Sequence, residues 1–65
     1  MITLVWKNRH CELVGHTRRG WPVLYFQDEN EDVAIEPSQV QAENPDRDVK
    51  ALTRSAPLVP PLFGD

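Results

Sequence analysis

Apolar and polar positions come in short strand-like blocks through the first two thirds of the chain. They then give way to polar sequence punctuated by proline. Ile2 to Lys7 is β-branched and aromatic enough for a strand, Asn8-Arg9 marks a turn, and His10 to Val14 can form its hairpin partner. The loop Gly15-His-Thr-Arg-Arg-Gly20 follows, with glycines at both ends that permit positive φ around a polar, basic segment. Trp21 to Gln27 is the clearest strand. Val23 and Tyr25 fall on one face and Leu24 and Phe26 on the other, so both faces need cover. Pro22 belongs near the strand start or on an edge, where no ladder donor is required. Asp28 to Asp32 supplies a reverse turn in which Asn30 best tolerates a left-handed conformation, and Val33-Ala-Ile35 returns as a short strand. Glu36-Pro-Ser-Gln-Val40 then reads as one helical turn ending in an apolar plug.

After Gln41 the alternation is lost. Asn44-Pro-Asp-Arg-Asp predicts a helix start, with Asn44 as N-cap, Pro45 in the first position, and Asp46 and Asp48 near the positive end of the dipole. Val49, Leu52 and Ala56 fall on one face, and at most three turns form only if that stripe docks. In the segment from Ala56 to Asp65, prolines at 57, 60 and 61 favour an extended tail. The expected organisation is a β-rich unit over 1–42, a short helix over 43–56 and a proline-rich apolar tail over 57–65.

The run Val23-Leu-Tyr-Phe-Gln-Asp, the acidic turn, Val33 and the plug Val40 resemble the Tudor pattern of the SH3-like folds, over roughly Met1 to Val40. The resemblance implies a mainly β fold, a small barrel of four to five antiparallel strands with a short C-terminal helix and an extended tail. In methyl-lysine-reading Tudor domains a cage is built from a Trp ending the first strand, a Phe ending the third and an acidic residue after it. Trp6, Phe26 and Asp28 are similar in position and type. The tyrosines that complete such a cage correspond here to His10 or Cys11 and to Asn30. Two aromatic walls and a carboxylate could hold an Arg or Lys side chain; alternatively Trp6 and Phe26 simply fill the interior.

Size changes the picture by bounding it. A chain of 65 residues is one domain at most, buries roughly 60% of its unfolded surface, and leaves no room for a deep cleft. One cysteine, Cys11, makes no intramolecular disulfide, and the N-terminus lacks the features of a signal peptide, so a soluble cytoplasmic protein is expected. The net charge of −3 is unevenly laid out. Lys7, Arg9, Arg18 and Arg19 face a single acid, Glu12, up to Trp21, whereas Gln27 to Glu36 holds Asp28, Glu29, Glu31, Asp32 and Glu36 with no base. A dipolar molecule steers toward an oriented partner, and an acidic total opposes bulk attraction to nucleic acid or anionic membrane.

His10, Cys11 and His16 lack the spacing of a zinc site, and adjacent His10 and Cys11 on a strand point to opposite faces. No metal or cofactor is expected, and Cys11 has no paired base that would mark it as a nucleophile. The acidic run lacks the alternating ligands and glycine of a calcium loop. Arg18-Arg19-Gly20-Trp21 sets two guanidiniums beside a large ring, which suits carboxylates on a protein partner, or phosphates and a stacked base. The tail carries Leu58, Val59, Leu62 and Phe63, and either folds back or docks in another protein's groove. The expectation is a non-catalytic protein-binding or regulatory module, of a size that fits an inhibitor or adaptor from a phage or mobile element. Its contacts are Trp6, Arg18, Arg19, Trp21, Phe26, Asp28, Leu62 and Phe63. The alternative is a nucleic-acid-binding regulator using Arg18, Arg19 and Trp21. Uncovered strand edges also leave a homodimer open.

Overall fold

Ile2–Trp6 (β1), Arg9–His16 (β2), Pro22–Phe26 (β3) and Glu31–Ala34 (β4) form one antiparallel sheet in chain order, followed by Pro37–Glu43 (α1) and Val49–Ser55 (α2). The computed structural model describes residues 2–60. Local chemistry sets each connection. Between β1 and β2, Lys7 and Asn8 have φ of +49° and +66° and Trp6 pairs with Arg9. Two successive left-handed residues are the requirement of a type I′ hairpin, whose twist matches that of its strands. The turn therefore sits one residue earlier than the expected Asn8-Arg9, and Arg9 opens β2.

Between β2 and β3, Thr17 N–H donates to Trp21 O and Gly20 N–H to Thr17 O, both at 2.9 Å, and Gly20 has φ of +91°. This is the three-residue hairpin loop closed by a left-handed glycine. Between β3 and β4, Glu29 N–H donates to Phe26 O at 3.1 Å and Asn30 takes φ of +50°, the left-handed position expected of it. The Tyr25 hydroxyl donates to Asn30 Oδ1 at 2.7 Å and holds that turn. Pro22 is the first residue of β3, where its missing donor costs nothing.

The core lies on one face of the sheet. Leu4, Cys11, Leu13, Leu24 and Phe26 point there, and Ile35, Val40 of α1 and Val49 of α2 close over them, with Trp6, Val33, Leu52 and Ala56 packed at the margin. Val40 is the expected plug, on a helix that extends to Glu43. The apolar stripe Val49, Leu52 and Ala56 docks as its spacing predicts.

The expected closed barrel does not form: the sheet is open, with β1 and β4 as its edges. Where a fifth strand would pair with β1, the chain offers Glu43-Asn-Pro-Asp-Arg47, which has no strand alternation and whose proline lacks a donor. Side chains take the place of that strand. Asn44 Oδ1 accepts from Val5 N–H at 2.9 Å, and Asn44 Nδ2 donates to Val5 O at 2.9 Å and Val40 O at 2.8 Å. Glu43 accepts from Lys7 N–H at 3.0 Å, and Arg47 donates to Thr3 O at 3.3 Å. Asn44 is thus the C-cap of α1, not the expected N-cap of the next helix. That role falls to Asp48, whose carboxylate accepts from Ala51 N–H at 3.2 Å. Gln41 ties the connection together, donating to Asn44 O and Arg47 O and accepting from Val49 N–H.

Candidate functional site

The antiparallel meander sends the candidate contact residues to opposite ends of the sheet. Trp6, Phe26 and Asp28 gather where β1 and β3 end, and Arg18, Arg19 and Trp21 cluster at the β2–β3 hairpin. Leu62 and Phe63 lie outside the described residues.

At the first end, Phe26 is buried and Trp6 is half-buried against the core. The one-residue shift of the first turn puts Arg9 opposite Trp6, on the core-facing side of β2. Its guanidinium carbon lies 4.4 Å from the centroid of the Phe26 ring, and its Nη2 donates to Asp28 Oδ1 at 2.8 Å and Glu29 Oε1 at 3.0 Å. The place between ring and carboxylate is therefore held by a cation of the same chain. The Arg9 hydrogen bond holds the Asp28 carboxyl below its usual range, and Asp28 in turn raises the Arg9 guanidinium. Lys7 Nζ stands 5.5 Å from the Trp6 ring centroid, so that ring too has a cation of its own.

At the other end, Arg18 is exposed on the hairpin loop and Arg19 lies over the Trp21 ring, 5.3 Å from its centroid. The backbone N–H of Trp21 donates to the hydroxyl of buried Thr17 at 3.1 Å, which closes the loop at its far end. Residues 57–59 join this end. His16 N–H donates to Pro57 O and Val59 N–H to His16 O, both at 2.9 Å, so Leu58 bridges His16 in parallel. His16 Nδ1 also lies 2.8 Å from Ala56 O. A register shift between Leu13 and Gly15 sets Gly15 opposite Val23, and Val59 lies directly over Gly15. A Cβ at Gly15 would meet Val59 Cγ1 and come within 2.8 Å of Pro57 O. Val59 is half-buried, whereas Leu58 is 58% exposed, the one large apolar side chain so placed among the described residues.

Cys11 is buried, its thiol donates to Leu4 O at 3.5 Å, and burial pushes its pKa up against the opposing charge of Arg9. A thiol held protonated and enclosed is a poor nucleophile. Among the described residues no three His, Cys, Asp or Glu side chains group as metal ligands, and no helix is long and apolar enough to cross a membrane. Sequence reasoning did not single out Arg9, because a turn assignment hid its strand position, nor Asn44 as an edge partner of β1. Compared with protein-family models, curated proteins and solved structures, the chain has no significant match.

Proposed function

We propose that the chain is a non-catalytic protein-binding module whose contact surface is the hairpin end, built from Arg18, Arg19, Trp21 and Leu58. The observation that carries this reading is the pairing of Leu58 with His16, which seats an exposed leucine two residues from the Arg18 loop. Arginine and tryptophan around an apolar knob are the residue types that dominate protein interfaces, and a rigid hairpin presents them without a large ordering cost. The partner would offer carboxylates beside an apolar recess. The acidic total, and the placing of Arg19 across the Trp21 ring, weigh against nucleic acid as the target. We read the architecture as a reduced SH3/Tudor-like meander in which side chains from the α1–α2 connection stand in for the closing strand.

The test is a pull-down from native lysate with the full chain and with Arg18→Glu and Leu58→Asp, each checked by circular dichroism. A protein retained by the unchanged chain and lost with both folded variants is the expected outcome. Binding to DNA or RNA that falls steeply with salt and is lost with Arg18→Ala would replace this reading with the nucleic-acid one.

A further inference from the structure

The two edges of the sheet are treated differently. At β1, the outward backbone groups of Thr3, Val5 and Lys7 are met by the side chains of Arg47, Asn44 and Glu43. At β4 there is no such cover among the described residues. Ile35 N–H donates to Pro22 O at 3.1 Å, and the same register through Leu24 with Val33 and Phe26 with Glu31 turns the odd-numbered residues of this strand toward β3. The N–H and C=O groups of Asp32 and Ala34 consequently point away from the sheet, and no described residue bonds to them. Such an edge is a template for another strand.

Charge selects the occupant. Glu31 and Asp32 lie on this edge and Glu36 just beyond it, no base occurs from Gln27 to Glu36, and none of these three carboxylates is ion-paired among the described residues. A second copy pairing edge to edge would bring two acidic segments together with no base between them, and like charges close across an antiparallel pair are destabilising. A strand with Lys or Arg at alternate positions meets opposite charge instead. We infer that the β4 edge binds an extended basic segment of another protein by strand addition, through the backbone groups of Asp32 and Ala34. This interface is separate from the hairpin end and does not rest on it.

The probe is a short blocked peptide of alternating Lys and Thr, titrated into the full chain at low salt and followed by amide NMR and hydrogen exchange. Saturable binding that protects the Asp32 and Ala34 amides and leaves Arg18 and Arg19 unchanged is expected. Affinity should fall about tenfold for Ala34→Pro, which removes an outward donor but no ladder bond. It should fall similarly for a peptide N-methylated at alternate residues, which leaves the protein untouched, and an alternating Glu and Thr peptide should not bind. Equal binding of the N-methylated peptide would reduce the effect to charge attraction and overturn strand addition. Equal binding of the acidic peptide, absence of saturable binding, or protection of Asp32 and Ala34 in a peptide-free dimer seen by sedimentation would each overturn the proposal as well.

Discussion

Arg9 changes meaning with a single step of register. Placed in a turn it is one more surface charge; placed opposite Trp6 it becomes the cation that stacks on Phe26 and clamps Asp28 and Glu29. Hydrophobic alternation could not settle that step, because the decision rests on whether Lys7 accepts φ of +49°. A left-handed lysine costs about 1 kcal/mol. The shifted turn accepts that cost to bring Asn8 into the second left-handed position and Arg9 over the ring. The clamp gives a pH signature with a definite sign. Since Arg9 lowers the Asp28 pKa in the fold, the stabilisation is present above the ordinary aspartate value of about 3.9 and is lost as pH falls through the lowered one. Both groups are exposed, so salt screens the effect. The melting temperature of the unchanged chain should exceed that of Asp28→Asn at neutral pH and low salt, and the difference should shrink as pH falls below the ordinary aspartate range. A calorimetric difference that persists in acid would show that Asp28 acts by something other than its charge.

Among the elements, the strand regions and the Pro37 corner were legible because apolar alternation, Gly20 and Asn30 are local signals, but β2 runs on through Gly15 and His16 of the expected loop and β4 starts at Glu31, inside the expected acidic turn. The start of α2 was not. Asn44 and Asp48 are both good caps, and only the demand of the β1 edge for a side-chain partner assigns Asn44 to Val5 and leaves Asp48 to cap. Residues 57–59 were legible as extended but not as paired, since the partner His16 lies forty-two residues before Leu58. Gly15 was read as a source of positive φ, yet its importance is space, because Val59 and Pro57 O pass directly over it. Gly15→Ala should therefore lift the tail from β2. The expected loss is about 1 to 3 kcal/mol of stability by urea unfolding, together with faster exchange of the Val59 amide that bonds His16 O. Unchanged Val59 protection in the variant would mean that the tail accommodates a methyl group by sliding.

At the scale of the molecule, the decisive residue is Asn44, which joins the helices to the free side of β1 and makes one unit of sheet and helices. Asn44→Ala leaves Val5 N–H and the carbonyls of Val5 and Val40 without their partner, at a cost of about 2 to 3 kcal/mol. That is a large share of the stability of so small a domain. Helical circular dichroism and tryptophan fluorescence should melt together in the unchanged chain and shift together in the variant. Separate transitions would show that α1 and α2 are not part of the same cooperative core. Along the chain the strand regions were legible as apolar blocks, and so were the plug Val40, the docking stripe of Val49, Leu52 and Ala56, the left-handed Asn30 and Gly20, and the split of charge. Each follows from side-chain periodicity or from the conformational preference of one residue. Long-range contacts settle that the sheet stays open, that residues 57–59 join the hairpin end, and that β4 is the edge left uncovered by the described residues. These depend on which distant groups compete for the same backbone donors and acceptors, a competition that no local pattern records.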